Sequence, residues 1–337
     1  MPKMFWQIHN AGLINQVMSV ELGCCISFLE KQQIHFFDYS KKSYGNIFVP
    51  PVRTMATPEM RSSNKPNVFQ LLDIPNEIDF RLIDEVPQVN FIKHENIIQS
   101  YYKYGDNSHN EHSFSEGRSR LHIDRHADNY FHTNCFSFYS RFIFNRPREL
   151  DLVLNKLRFK EQYVQFAKKI SSQLSNFSAM HIRLTDHAKN YHSTSDNRLK
   201  YYNKVKERHN KIIFSTDDVS LIRSELNDNC IFVDEIILNH FKDEFLSLEF
   251  HDEVVLGLIS LLILSDSGYF IGTPGSTFSS FIHRLRLLNN KSECFLFMDS
   301  SHNEYFTQSG PYSWNGFNCH VAAKNWWREW PECKLDI

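Results

Sequence analysis

Three short stretches carry side chains suited to gripping an anion. MHIRLTDH (180–187) sets His181 and Arg183 two positions apart, so on a strand both point to one face. Arginine is the best side chain for a diphosphate, because its planar fork makes two hydrogen bonds at once. GTPGSTFSS (272–280) follows the apolar trio YFI with a tight Gly/Pro turn, then places Ser276 and Thr277 where a helix opens. A helix start leaves free N–H groups and partial positive charge, which together hold phosphates. Phe278 adds a flat face for a base or sugar. IIFSTDD (212–218) ends an apolar run in Thr216, Asp217 and Asp218, carboxylates that can accept hydrogen bonds from a ribose or from the N–H groups of guanine.

Each stretch has a plainer reading beside the chemical one. Arg183 can pair with Asp186 or another carboxylate, and His181 can be a hydrogen-bonded residue of a half-buried strand. The aspartates can cap the next helix, and Ser276 can be a simple N-cap with Phe278 in the core. The ligand reading gains from order. An Arg at one strand end, an Asp at the next and a Ser/Thr helix start at a later one can all line a single carboxyl edge, where open α/β sheets bind ligands.

The elements that must position these residues are legible as a rhythm. MFWQIH (4–9) reads as a strand, Val17–Leu29 as a helix and IHFFDY (34–39) as a second strand. Residues 40–135 are turn-rich, with a polar surface loop at 104–120. Helices are expected at 148–159 and 160–174. After them FSAMHIRL, IIFSTDD and CIFVDE (230–235) read as strands, SLIRSEL as a short helix and 252–266 as a buried helix with Asp252 and Glu253 at its start. GYFIGT reads as a strand and 276–288 as a helix. Such alternation implies a parallel sheet covered on both faces. Trp326, Trp327 and Trp330 stand at helical spacing near the C-terminus, a pattern for packing against a neighbouring domain.

Bulk properties set bounds. A chain of 337 residues is ample for two domains. The formal charge of -2 gives no global pull toward nucleic acid, so phosphate binding must come from local donors. Seven cysteines (Cys24, Cys25, Cys135, Cys230, Cys294, Cys319, Cys333) form no C-x-x-C pair, so buried reduced thiols are expected, with a Cys319–Cys333 bridge open for an exported protein. His109, His112, His122, His126 and His132 span a stretch expected to be a loop with irregular spacing, which suits an acceptor-facing loop better than a metal site. The N-terminus lacks the apolar run of a signal peptide and no stretch is long enough to span a bilayer, so a cytoplasmic protein is expected.

The order H-x-R-x-x-D, then STD after a strand, then G-x-x-G-S-T-F-S-S-F resembles the fucosyltransferase superfamily, which includes protein O-fucosyltransferases and α-1,6- and α-1,2-fucosyltransferases. AGLINQVMS near the N-terminus resembles that family's GGLGNQLMS turn. The resemblance covers both ends of the chain and most of its second half. It implies the α/β fold called GT-B, with two facing Rossmann-like domains and parallel sheets: an acceptor domain at 1–160 and a GDP-sugar-binding domain at 161–337, the final helix crossing back. GDP-fucose would be the donor substrate, with no cofactor and no metal; no D-x-D motif stands at the strand ends considered. Arg183 would hold the β-phosphate with His181 beside it, Asp217 would contact guanosine, and Ser276, Thr277 and Phe278 would cradle the diphosphate. Gly12, Asn15 and Gln16 would close over the donor.

The sequence also departs from that pattern. Ile14 replaces the second glycine of the N-terminal turn, and Leu184 stands where α-1,6 members have a second arginine. The following stretch, HAKNYHSTSD, lacks their glutamate, leaving His187, His192 and Asp196, of which His192 is taken as the candidate base because histidine titrates near neutrality. The expected activity is inverting transfer of L-fucose to a hydroxyl of a glycan or protein. Another nucleotide sugar on the same fold, or a non-catalytic GDP- or glycan-binding protein, stays open at this point.

Overall fold

The computed structural model describes residues 3–8, 12–38, 66–83, 123–126, 129–132, 156–184, 195–207, 211–226, 230–273, 276–289, 291 and 294–296. The polar stretch at 104–120, most of the helix expected at 148–159, His109, His112, His122, His187, His192 and the C-terminal tryptophans lie outside them. The chain separates into two compact units, the first changing to the second between Phe159 and Lys160.

The first unit holds a five-stranded sheet of order β4-β2-β1-β6-β5. Aromatic and β-branched residues form β1 (Lys3–Ile8) and β2 (Gln33–Asp38), which pair in parallel from Lys3 against Gln33 to Ile8 against Asp38. The right-handed crossover expected of such a pair is made by α1 (Leu13–Glu30). Its inward residues Ile14, Val17, Met18, Val20, Leu22, Cys24 and Cys25 are no more than 3% exposed. Gly23 permits this closeness: a Cβ there would stand 2.9 Å from Phe36 Cε1 and 3.1 Å from Trp6 Cδ2. The helix ends on Lys31 in the left-handed region (φ 52°), whose N–H turns back to Phe28 O.

β4 (Phe80–Ile83) flanks β2 and β6 (Asn129–His132) flanks β1, both in parallel, while β5 (Ile123–His126) closes the edge antiparallel to β6. The histidine-rich loop expected across 109–132 is thus corrected over its second part. Residues 123–126 and 129–132 are paired strands, with His126 in register with Asn129, because Ile123, Tyr130 and Phe131 supply the strand-forming side chains. A separate two-stranded pair joins β3 (Leu72–Asp73) to β7 (Arg158–Phe159). The helix expected to run to 159 therefore gives way before Arg158, where buried Phe159 pairs with Leu72.

The second unit is built on an all-parallel sheet of order β10-β9-β8-β11-β12. Its strands are β8 (Ser178–Ile182), β9 (Ile212–Thr216), β10 (Ile231–Phe232), β11 (Tyr269–Gly272) and β12 (Cys294–Leu296). Every residue of β8, β9 and β11 is buried, as a parallel sheet covered on both faces requires. From β8 the chain moves outward through β9 to β10. It then returns to the other side of β8 with β11 and moves outward again to β12. Strand order thus reverses between β8 and β11, and such a reversal opens a crevice at the carboxyl ends.

Helices cover the sheet. α2 (Glu161–Leu174) buries Tyr163, Phe166, Ala167, Ile170 and Leu174 at helical spacing and leads into β8. α3 (Ser195–Lys206) and α4 (Val219–Leu226) are clamped by Arg198, whose Nε donates to Glu225 Oε2 at 2.6 Å and whose Nη2 pairs with Oε1. α5 (Val233–His240) and α6 (Lys242–Leu246) lead to α7 (Glu253–Ser265), which is apolar almost all round. Asp252 caps α7, accepting the Val255 N–H at 3.0 Å. α8 (Thr277–Leu288) is anchored by fully buried Arg286, which donates to Ser267 Oγ at 2.8 Å and Gly268 O at 3.2 Å.

Two expectations need correcting here. CIFVDE is a strand for only two residues. At Val233 the helix α5 begins, because Asp234 and Glu235 suit a first helical turn and Val233, Ile236 and Ile237 share a buried face. The helix α3 was not expected at all; its buried Arg198, Tyr201, Tyr202 and Val205 recur at helical spacing in an otherwise polar run. Among the described residues no helix is long and apolar enough to cross a membrane.

Candidate functional site

The site is built where three buried strands of the second unit end. β8 and β9 run in register, His181 opposite Ser215 and Ile182 opposite Thr216, so Arg183 and Asp217 are the next residues to emerge. There the Arg183 Nε lies 3.5 Å from Asp217 Oδ2. The two side chains differ in access, at 25% exposure for Arg183 and 5% for Asp217. Asp217 also accepts the Leu184 N–H on Oδ1 at 2.8 Å, so it fixes the backbone just past the arginine as well as the guanidinium. Asp218 does something else: its Oδ1 accepts the Leu221 N–H at 3.0 Å and caps α4.

On the other side of β8, β11 runs in register as far as Ile271 against Met180. Beyond it Thr273 replaces ladder pairing with its side chain. Its Oγ1 donates to His181 O at 3.0 Å and accepts the Arg183 N–H at 2.9 Å. The Thr273 N–H donates to Ser279 Oγ at 3.0 Å, and that oxygen lies 2.6 Å from His181 Nδ1. The Ser276 N–H turns back to Thr273 O at 3.3 Å, and α8 begins at the next residue. The first turn of α8 is therefore fastened to the end of β8 through Thr273 and Ser279.

Gly272 makes this approach possible. A Cβ at that position would stand 2.6 Å from Ser279 Cβ and 2.7 Å from its Oγ. Phe278 lies against His181, ring centroids 4.6 Å apart and planes tilted by 32°. Ser276 is buried, while Thr277 and Phe278 are half-buried.

The structure accordingly brings His181, Arg183, Asp217, Ser276, Thr277 and Phe278 to one sheet edge. It also answers some of the plainer readings. Arg183 does pair with a carboxylate, Asp217, and His181 is a buried, hydrogen-bonded residue. Gly12, Asn15 and Gln16 belong to the first unit. Gly12 is the exposed residue before α1, its carbonyl accepting the Gln16 N–H at 3.1 Å. Asn15 is half-buried and its Oδ1 has no hydrogen-bond partner among the described residues, while the Gln16 side chain is buried. Asp196 is exposed in the first turn of α3.

Sequence reasoning missed Thr273 and Ser279. The available signal was positional: a hydroxyl directly after a strand and another at the third residue of the following helix. Chemically, among the described residues, the edge offers the Arg183 guanidinium, paired with the Asp217 carboxylate, beside the positive end of a helix with hydroxyls in its opening turn. That arrangement suits an anionic ligand with several oxygens. Among the described residues no group of three or more His, Cys, Asp or Glu is placed to hold a metal ion.

No protein-family model matches the sequence, and no curated protein does. Among solved structures the chain is similar to NodZ alpha-1,6-fucosyltransferase co-crystallized with GDP, at 12% identity and a TM-score of 0.48 over 89% of this chain and 96% of that one. It is similar also to the selenomethionine form of fucosyltransferase NodZ from Bradyrhizobium, at 12% identity and a TM-score of 0.48 over 91% and 97% of the two chains. POFUT1 in complex with GDP-fucose is matched at 15% identity and a TM-score of 0.32 over 50% of this chain and 54% of that one.

Proposed function

We propose that this chain is a glycosyltransferase that moves L-fucose from GDP-fucose to a hydroxyl of a glycan or protein acceptor, with inversion and without a metal ion. One observation carries the reading. The Arg183 N–H is bonded to Thr273 Oγ1, so the residue bearing the guanidinium is fastened to the turn from which α8 starts. A diphosphate resting on that turn meets both sources of positive charge.

In the reaction the acceptor oxygen bonds to the anomeric carbon on one face as the carbon–oxygen bond to the β-phosphate breaks on the other. The acceptor proton passes to a base, for which His192 is the candidate, and GDP leaves carrying the electron pair. Charge then grows on the β-phosphate. Arg183, the first amides of α8 and the hydroxyls of Ser276 and Thr277 are the groups that answer it, in place of a divalent cation. Asp217 holds the guanidinium while its remaining lone pairs serve a guanosine N–H or hydroxyl. Phe278 offers its half-buried ring to the sugar or base.

The test is a thermal-shift panel of GDP, UDP, ADP and their sugars, followed by a GDP-release assay with GDP-fucose over an acceptor library. Preferential stabilisation by GDP and GDP-fucose, with acceptor-dependent GDP release undiminished by EDTA, is expected. Preference for a uridine donor moves the assignment to another nucleotide sugar. GDP binding with no release over the whole library would leave a binding protein, and no nucleotide binding at all would end the proposal.

A further inference from the structure

Thr273 is fully buried just past the end of β11, and one oxygen of its side chain replaces two backbone groups. In a parallel ladder a residue donates its N–H to one residue of the neighbouring strand and accepts on its C=O from the residue two further on. Continued past Ile271 and Met180, the register sets Thr273 opposite Ile182, between His181 and Arg183. The Thr273 backbone turns away from those two places. Its N–H donates to Ser279 Oγ at 3.0 Å and its carbonyl accepts the Ser276 N–H at 3.3 Å, so the main chain already serves the start of α8. The hydroxyl fills both places instead. Oγ1 donates to the His181 carbonyl at 3.0 Å and accepts the Arg183 N–H at 2.9 Å. A carbonyl only accepts and an amide only donates, so the direction of both bonds is fixed.

On the other side of β8 the next amide is held in the same way. Successive N–H groups of a strand point to opposite edges, and the Leu184 N–H meets Asp217 Oδ1 at 2.8 Å. The peptide before Arg183 is thus tied to the end of β11 and the peptide after it to the end of β9. Each tie is a side chain that lies past the last ladder pair. Fixing both peptide planes fixes φ and ψ of Arg183, and with them the direction in which its side chain leaves the chain.

We infer that Thr273 is a positioning residue: without touching the ligand, its hydroxyl aims the Arg183 guanidinium at the diphosphate by holding the Arg183 N–H. The inference rests on the diphosphate reading above. Asp217 steadies the same arginine from the far side, through the Leu184 amide and through Nε, 3.5 Å from Oδ2. A guanidinium that grips through a planar fork depends on direction, whereas an ammonium on a flexible stem depends on it less. Threonine suits the task because branching at Cβ stiffens χ1 and keeps the hydroxyl in one place.

Calorimetric GDP affinity tests this. Thr273→Val keeps the shape and removes the oxygen, and is expected to weaken GDP binding by about tenfold, the scale of one mispaired buried group. Thr273→Ser restores the hydroxyl and is expected to stay within about threefold of wild type. In an Arg183→Lys background the valine change is expected to cost less than about threefold, because the ammonium does not need the same aim. Thr273→Ala, with the same expectations, replaces the valine variant if that protein does not fold. A serine variant as weak as the valine one would trace the effect to packing of the methyl group. Equal losses in the arginine and lysine backgrounds would place it on α8, and full affinity in Thr273→Val would leave the hydroxyl no part in binding. Each of these overturns the inference while GDP binding by the wild type keeps the transferase reading intact. A wild type that binds no GDP overturns both.

Discussion

Gly272→Ala tests how tightly α8 must press on the end of β11. The added Cβ would lie 2.6 Å from Ser279 Cβ, 2.7 Å from its Oγ and 3.0 Å from Phe270 Cε1. Carbon atoms in contact want about 3.5–4.0 Å, so α8 and β11 must separate by about 1 Å. The helix has little freedom to do so, because Arg286 is fully buried on Ser267 and Gly268, and Phe281 and Ile282 are buried beside it. Overpacking of this kind costs about 1–3 kcal/mol, and loss of the buried Ser279 hydrogen bonds adds about 1–3 kcal/mol. A loss of about 2–6 kcal/mol in urea unfolding is expected, with weaker GDP binding because the opening turn of α8 moves away from Arg183. Ser279→Gly supplies the control. Alone it is destabilising, through the missing hydroxyl and a glycine inside a helix. It also removes both closest atoms, so the double variant should be more stable than the sum of the singles predicts, by at least about 1 kcal/mol. Additive losses, or a Gly272→Ala protein within about 0.5 kcal/mol of wild type, would refute the close-approach argument.

Arg183→Ala should lower kcat for transfer by about a hundred- to a thousandfold while the protein stays folded, and Arg183→Lys should fall between the two; near-wild-type turnover would remove Arg183 from the chemistry. His35 is buried, and burial, Lys3 and Arg81 push its pKa down while Asp79 pulls it up. A histidine whose folded pKa is depressed contributes stability that is complete above its ordinary range near about 6.5 and is lost as pH falls through the lower folded value. Stability of the first unit is therefore expected to drop on acidification from neutrality, and His35→Gln to flatten that slope. Burial pushes the Cys24 thiol far up, with Glu21 adding to the effect, so iodoacetamide at pH 8 should label Cys24 only as fast as the unit unfolds. Rapid labelling of Cys24 in folded protein would contradict its burial.

Much of the second unit was legible because its strands are buried on both faces. SAMHI, IIFST and YFIG are short apolar runs whose polar residues appear as each strand leaves the sheet, so sequence order alone points to His181, Arg183, Asp217 and the 276–278 turn as edge residues. The reversal of strand order between β8 and β11 had no local signal, since it depends on which side of β8 the returning chain docks. The Thr273–Ser279–His181 fastening was hidden for the same reason: it joins residues far apart in sequence. α3 went unseen because its few buried residues are diluted by lysines and asparagines. CIFVDE misled because β-branched residues mark strands strongly, while the helical preference of Asp234 and Glu235 acts only once a first turn exists. In the first unit Ile123, Tyr130 and Phe131 lie among histidines and aspartates, and only pairing with each other and with β1 makes strands of them.

The hydroxyl of Thr273 gives Arg183 an amide whose protection depends on a rotatable side chain and not on a neighbouring strand. Deuterium uptake at that single position then becomes a gauge of how firmly the edge is latched. Thr273→Val keeps the shape but silences the gauge, separating the latch from the bulk that surrounds it.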